Sequence, residues 1–146
     1  MTRRNDLPFV RDVMDRLDRG GIRTWLFGGW AEEMLGLTSA RAHHDVDLLY
    51  PAADFTSVDA FIARNSDLAE IVEKRFGHKR AFLNEGVMIE LMLVQHADGR
   101  LITLYRGTAT HIWPADLLVQ RARGIRVASA AALLSYREAH GSLTAG

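Results

Sequence analysis

WLFGGWAEEMLGLTSARAHHDVDLLY occupies residues 25–50, and the order of its apolar runs and glycines decides how the chain is read. IRTWLF (22–27) is a short apolar run rich in strand formers that ends abruptly at Gly28-Gly29. Trp30, Met34 and Leu35 then suggest a brief helix that stops before Gly36. From Asp45 to Tyr50 the chain alternates. Val46, Leu48 and Tyr50 point to one face of a strand, and Asp45, Asp47 and Leu49 to the other. The stretch therefore reads as strand, glycine turn, short helix and strand, a unit that belongs in a sheet with helices packed on it.

The chemistry of the stretch lies in Asp45-Val46-Asp47. Two residues apart on a strand, both carboxylates face one side, with α-carbons roughly 6–7 Å apart. Apolar neighbours raise the free energy of two such charges. A hard divalent cation such as Mg²⁺ relieves it, since that ion takes carboxylate oxygens and arrives with a substrate phosphate. Paired ions about 3.5–4 Å apart could clamp the attacking and leaving oxygens of a phosphoryl or nucleotidyl displacement. Taken alone, Asp-x-Asp equally describes a strand whose acidic end is wet.

Three neighbours turn the reading towards a site. Gly28-Gly29 lies between a strand and a helix, where backbone N–H groups can approach a phosphate. Arg41 and His43 stand just before the acidic pair as donors for a triphosphate. Glu90 sits inside VMIELMLV (87–94), an otherwise buried run, and a buried glutamate needs an ion-pair partner or a metal. If its strand neighbours 45–50, Glu90 is a third carboxylate, able to ligate an ion or act as general base.

Outward from this centre, Val10, Val13, Met14 and Leu17 recur at helical spacing, with Asp6 as cap and Gly20-Gly21 as stop. Phe55, Val58 and Ile62 mark a further helix. RAFLNE (80–85) and VMIELMLV flank a turn at Gly86, and Asp98-Gly99 signals a hairpin into LITLYR (101–106). IRV (125–127) is a last short strand, and Ser129 caps a helix carrying Leu133, Leu134 and Tyr136. The expected fold is a mixed twisted sheet flanked by helices, α/β or α+β, in one domain spanning residues 1–146.

Composition narrows the function. With 146 residues and no cysteine, the chain has no disulfide framework, zinc-thiolate site or thiol nucleophile. Its 18 acidic residues balance 18 basic ones, which argues against a nucleic-acid partner. No apolar run of signal-peptide or membrane-spanning length occurs, so the expected compartment is the cytoplasm. Lys74 and Lys79 are the only lysines, and recognition of phosphate is expected to fall mainly to arginine. Arg121, Arg123 and Arg126 read as a solvated face. Trp25, Trp30 and Trp113 read as core or pocket lining. His78, His96, His111 and His140 lack metal-ligand spacing.

Residues 25–50 resemble the signature of the small antibiotic nucleotidyltransferases, chiefly the lincosamide and then the aminoglycoside 2″-nucleotidyltransferases. The shared pattern is an aromatic-apolar strand, Gly28-Gly29-Trp30, a short helix, and then Arg41, His43, Asp45 and Asp47. Weaker similarity continues through residues 86–101 and 125–141. The resemblance implies a minimal nucleotidyltransferase fold of the polymerase-β type, with Mg²⁺-dependent transfer of AMP from ATP and release of pyrophosphate. It makes Asp45 and Asp47 metal-binding, and Gly28, Gly29, Arg41 and His43 nucleotide-facing. Glu90 falls at the third carboxylate, often an aspartate in the family, as base, metal ligand or both; Glu85 is its substitute if the strand register differs. The implied acceptor is a hydroxyl of a small molecule such as a lincosamide or an aminoglycoside. A domain of this size leaves little room for a separate acceptor-binding unit, so part of the pocket is expected from a second subunit, in a homodimer. The rival readings are an inactive nucleotide- or partner-binding module of the same fold and, from His43-His44-Asp45, a phosphohydrolase of the His-Asp type, which is helical where residues 45–50 alternate.

Overall fold

A computed structural model describes residues 3–105 and 109–140. In chain order, α1 (Leu7–Arg19) leads to β1 (Trp25–Phe27), α2 (Gly28–Met34), β2 (Asp45–Pro51), α3 (Thr56–Arg64), β3 (Ala69–Glu70) and a 3₁₀ turn (Val72–Lys74). Then follow β4 (Lys79–Asn84), β5 (Val87–Ala97), β6 (Arg100–Tyr105), β7 (Ala109–Ile112), β8 (Gln120–Ala122), β9 (Ile125–Val127) and α4 (Ala130–His140). Arg106, which closes one expected strand, and Gly141 lie outside the described residues.

The sheet is mixed, as expected, and runs β3-β4-β5-β2-β1-β9-β8, with β6 and β7 continuing from β5. β2 lies parallel to β5 and β1 parallel to β9; the remaining pairs are antiparallel. Two tight turns set the register of the hairpins around β5. Glu85-Gly86 takes φ of 50° and 80°, and Asp98-Gly99 takes 52° and 75°. Both central residues of each turn are left-handed, the arrangement whose twist matches two-residue hairpins. These turns carry β5 through the middle of the sheet, between β2 and β4.

The helices follow their sequence signals. Asp6 accepts a hydrogen bond from the Phe9 amide at 3.0 Å, and Phe9, Val10, Val13, Met14 and Leu17 form the buried face of α1. Ser129 Oγ accepts from the Ala132 amide at 3.1 Å, capping α4. α2 meets α4 through an ion pair between Glu32, completely buried, and Arg137. Glu32 Oε1 has no hydrogen-bond partner among the described residues.

Three details differ from the sequence reading. β1 begins at Trp25 rather than residue 22, because the Ile22 amide turns back to Leu17 O at 2.8 Å and stays with the end of α1. α2 begins at Gly28, so both glycines form its first turn. Strands β3, β7 and β8 were unforeseen, being short and mostly exposed on both faces. Backbone pairing, not an apolar alternation, holds them. No helix among the described residues is long and apolar enough to cross a membrane.

β5 contributes the central layer of the core. Ile89, Leu91 and Val94 are fully buried from it, as are Val46 and Leu49 from β2. Replacing Leu91 by alanine removes apolar contacts and leaves a cavity that the paired strands cannot close. Leu91→Ala is expected to lower unfolding stability by about 2–5 kcal/mol, measured by urea denaturation.

Candidate active site

The parallel ladder between β2 and β5 sets Asp47 directly beside Glu90, while Asp45 faces Met88. Asp47 and Glu90 share a side-chain hydrogen bond, so the bridge that Glu90 needed runs partly through another acid. Burial pushes the Asp47 carboxyl well above its ordinary value near 3.8, and the hydrogen bond and the charge of Glu90 push it further. Asp45 is raised too, by burial and then by the charge of Glu90. Glu90 behaves differently. Burial alone would raise it, but hydrogen bonds from Lys74 and Asp47 outweigh burial and hold it below the ordinary value. The pair is therefore uneven: Asp47 is pushed up and Glu90 is pulled down, so Asp47 holds a proton the more readily of the two.

Two ammonium groups hold that anion in place. Lys74 Nζ lies 2.7 Å from Glu90 Oε1, and Lys79 Nζ lies 3.7 Å from the same oxygen. Glu85, the substitute for Glu90, is excluded from the site. It occupies the β4–β5 turn with positive φ and pairs with Arg3.

The glycines are required by close approach. Gly28 has φ +62°, and a Cβ there would collide with the Asp47 carboxylate, coming within 2.9 Å of its Cγ. At Gly29 an added Cβ would strike the Arg41 guanidinium and lie 3.1 Å from His43 Nδ1. The missing side chains thus first make room for the protein's own acid, guanidinium and imidazole. Arg41 is exposed and leaves its guanidinium turned over the start of α2. His43 is placed otherwise. Its Nε2 contacts Glu33 Oε1 at 2.9 Å, its ring lies 4.2 Å from that of Trp30, and its side chain is only 4% exposed. Glu33 also accepts from the Arg41 amide at 3.0 Å, so one carboxylate fixes both ends of Arg41-Ala42-His43.

An aromatic wall flanks the acids. Tyr136 of α4 packs edge-on against Phe27, at 5.1 Å, and stacks on Trp113 at 5.6 Å. Its phenol is raised mainly by burial, and the charges of Asp47 and Glu90 act in the same direction. Trp113 backs this wall from the core, with its indole N–H donating to Thr103 Oγ1 at 2.9 Å. His111 and His140, far apart in sequence, approach to 3.4 Å between ring nitrogens beside the same wall. Arg126 is held by Asp18 at 2.5 Å and the Thr24 carbonyl at 2.8 Å, so it faces neither glycine.

The carboxylates suit a hard divalent cation by chemistry: three oxygen-donor side chains on adjacent strands, two of them sharing a proton because their charges repel. They are not closed into a cage. Among the described residues no group of three or more histidine or acidic side chains is gathered tightly enough to hold an ion. The physical reason is visible at Glu90, whose carboxylate is turned into Lys74.

A family described as aminoglycoside-2″-adenylyltransferase matches residues 9–97, from α1 to the end of β5. The chain belongs to the aminoglycoside-2″-adenylyltransferase family. It is therefore an enzyme of the nucleotidyltransferase class; Gly28, Gly29, Arg41, His43, Asp45, Asp47, Lys74, Lys79 and Glu90 fall within the matched span, while Trp113 and Tyr136 of the aromatic wall lie beyond it. Solved structures agree on the fold. The lincomycin-bound lincosamide antibiotic adenylyltransferase LnuA superposes with a TM-score of 0.71 at 16% identity, covering 90% of this chain and 85% of that one. ANT(2″)-Ia in complex with adenylyl-2″-tobramycin gives 0.61 at 17% identity, covering 90% and 76%. No curated protein sequence matches the chain.

Sequence reasoning missed the roles of Lys74 and Tyr136. The signal for Lys74 was its rarity, since a chain rich in arginine keeps only two lysines. Asp47 generates a prediction about stability. Its raised folded value means that the folded protein binds more protons than the unfolded chain between about 3.8 and that raised value, so its contribution falls as pH rises through this window. A carboxamide at this position would keep the hydrogen bond to Glu90 without the charge. Asp47→Asn without metal is expected to melt higher than the parent at neutral pH, with the difference shrinking towards pH 4, as followed by calorimetry.

Proposed function

We propose that this enzyme moves AMP from ATP to a hydroxyl of a small molecule, in a Mg²⁺-dependent reaction at Asp45, Asp47 and Glu90. The observation that carries the proposal is the pairing of Asp47 with Glu90 next to the positive-φ turn at Gly28. A cluster of carboxyl oxygens thereby abuts the strand-to-helix turn where a polyphosphate can lie. Mg²⁺ bound by Asp45 and Asp47, with Glu90 as third ligand, would neutralise phosphate charge and so favour displacement at the α-phosphorus.

The chain's own residues supply the rest. Arg41, exposed beside Gly29, donates to the phosphates, and the Glu33–His43 contact keeps that arginine over the turn. Glu90, held ionised, accepts the proton of the acceptor hydroxyl. The acceptor oxygen then bonds the α-phosphorus in line, and pyrophosphate leaves. Tyr136, half-buried and backed edge-on by the buried Phe27, offers an aromatic side against which the acceptor rests. Most of the acceleration comes from positioning and charge neutralisation, as is general for such displacements.

The relatives suggest the acceptor class, since LnuA was solved with lincomycin and ANT(2″)-Ia with an adenylylated tobramycin. Lincosamides and aminoglycosides are therefore the first acceptors to test. Incubation with MgATP and a panel of both is expected to yield a product heavier by one AMP, detected by mass spectrometry. Asp47→Asn should lower turnover about a thousandfold or more; full turnover by that variant would overturn the assignment. Arg41→Ala should act mainly on nucleotide binding, raising KM for ATP about tenfold with a smaller change in kcat.

A further inference from the structure

Both lysines of the chain converge on one oxygen. The chain has 18 basic residues, sixteen of them arginine, yet among the described residues Glu90 is met by Lys74 and Lys79 and by no arginine. The difference in chemistry is specific. An arginine fork binds a carboxylate in two parallel hydrogen bonds and is hard to displace. An ammonium is a compact point charge on a flexible stem, and it returns readily to water. Lys74 is well placed to do so. It lies on the 3₁₀ turn between β3 and β4, outside the ladder that fixes Glu90, and its side chain is 36% exposed. Glu90 cannot follow it, because it is held in the β5 ladder between β2 and β4.

We propose that Lys74 is a tethered competitor of the divalent cation: it occupies Glu90 while the site is empty and leaves that carboxylate when the ion binds. This rests on the reading of Asp45, Asp47 and Glu90 as the cation site. It accounts for three carboxylates on adjacent strands that do not form a cage. With the ammonium seated, Glu90 is a poor ligand, and a free ion meets mainly Asp45 and Asp47. When the ion arrives with a nucleotide, the displaced ammonium lies beside a polyanion and gains a new partner. Lys74 would thus bias the enzyme towards the metal–nucleotide complex over the free ion. Lys79, a full ångström further from Glu90 Oε1, contributes less.

The test is direct binding of Mn²⁺ alone, read by electron paramagnetic resonance, to the parent, Lys74→Met, Lys79→Met and Asp47→Asn proteins. Lys74→Met should bind free Mn²⁺ about tenfold more tightly than the parent, Lys79→Met should show a smaller gain, and Asp47→Asn should bind much more weakly. Unchanged or weaker binding by a folded Lys74→Met protein overturns the competitor role while leaving the site reading intact. No binding of Mn²⁺ to the parent or to Lys74→Met overturns both.

A second measurement does not depend on substitution. Reductive methylation with ¹³C-formaldehyde labels just two lysine side chains here, besides the terminal amine. On addition of Mg²⁺ with ATP, the Lys74 methyl resonance should leave its metal-free position while that of Lys79 shifts less. A Lys74 resonance that stays put while metal and nucleotide bind overturns the proposal.

Discussion

The site depends on the parallel ladder between β2 and β5, because it places two acids side by side where water is scarce. Asp47 opposite Glu90 is an arrangement that repels itself, and the surrounding structure answers that repulsion. Asp47 is pushed towards its protonated form, two ammonium groups lean on Glu90, and Gly28 gives up its side chain so that the Asp47 carboxyl fits. The register is protected by the core. A slip of one residue in β2 would carry Val46 and Leu48 out of the interior and take the acids to the other face.

The division of labour between cations follows from geometry. Arginine serves where a fixed link is wanted: Arg16 to Asp67 at 2.7 Å, Arg80 to Asp59 at 2.7 Å and Arg126 to Asp18 tie elements together. The two lysines both meet Glu90 instead. Arg41 is the exception among the arginines at the site, since its side chain is held over Gly29 by the anchoring of its backbone rather than by an acid.

Much of the centre was legible before any coordinates. Asp45, Asp47 and Glu90 announced themselves as charges in apolar runs, and their adjacency required only that two strands be neighbours. The hairpins at Glu85-Gly86 and Asp98-Gly99 were legible because their turns demand left-handed residues. Other features left no such mark. β8 has no buried residue, and β7 buries only His111, so neither creates an apolar pattern. The role of Gly29 depends on where Arg41 lands, twelve residues later, and the meeting of His111 with His140 depends on how α4 docks. The Lys74–Glu90 contact is of this kind also, since nothing local to residues 72–74 points to β5. Sequence periodicity reports which face is buried, and these contacts are made between elements.

The Glu32–Arg137 ion pair ties the integrity of one end of the molecule to that of another. Glu32 sits in the turn of helix that follows Gly28-Gly29, wholly enclosed, and its counter-charge comes from α4. Should α4 peel away, a carboxylate would be stranded in an apolar interior, where it must either capture a proton or drag α2 out of place. The same departure would remove Tyr136 from the aromatic wall. Injury to α4 would thus surface as a displacement of α2 and its glycine turn, far upstream in the chain.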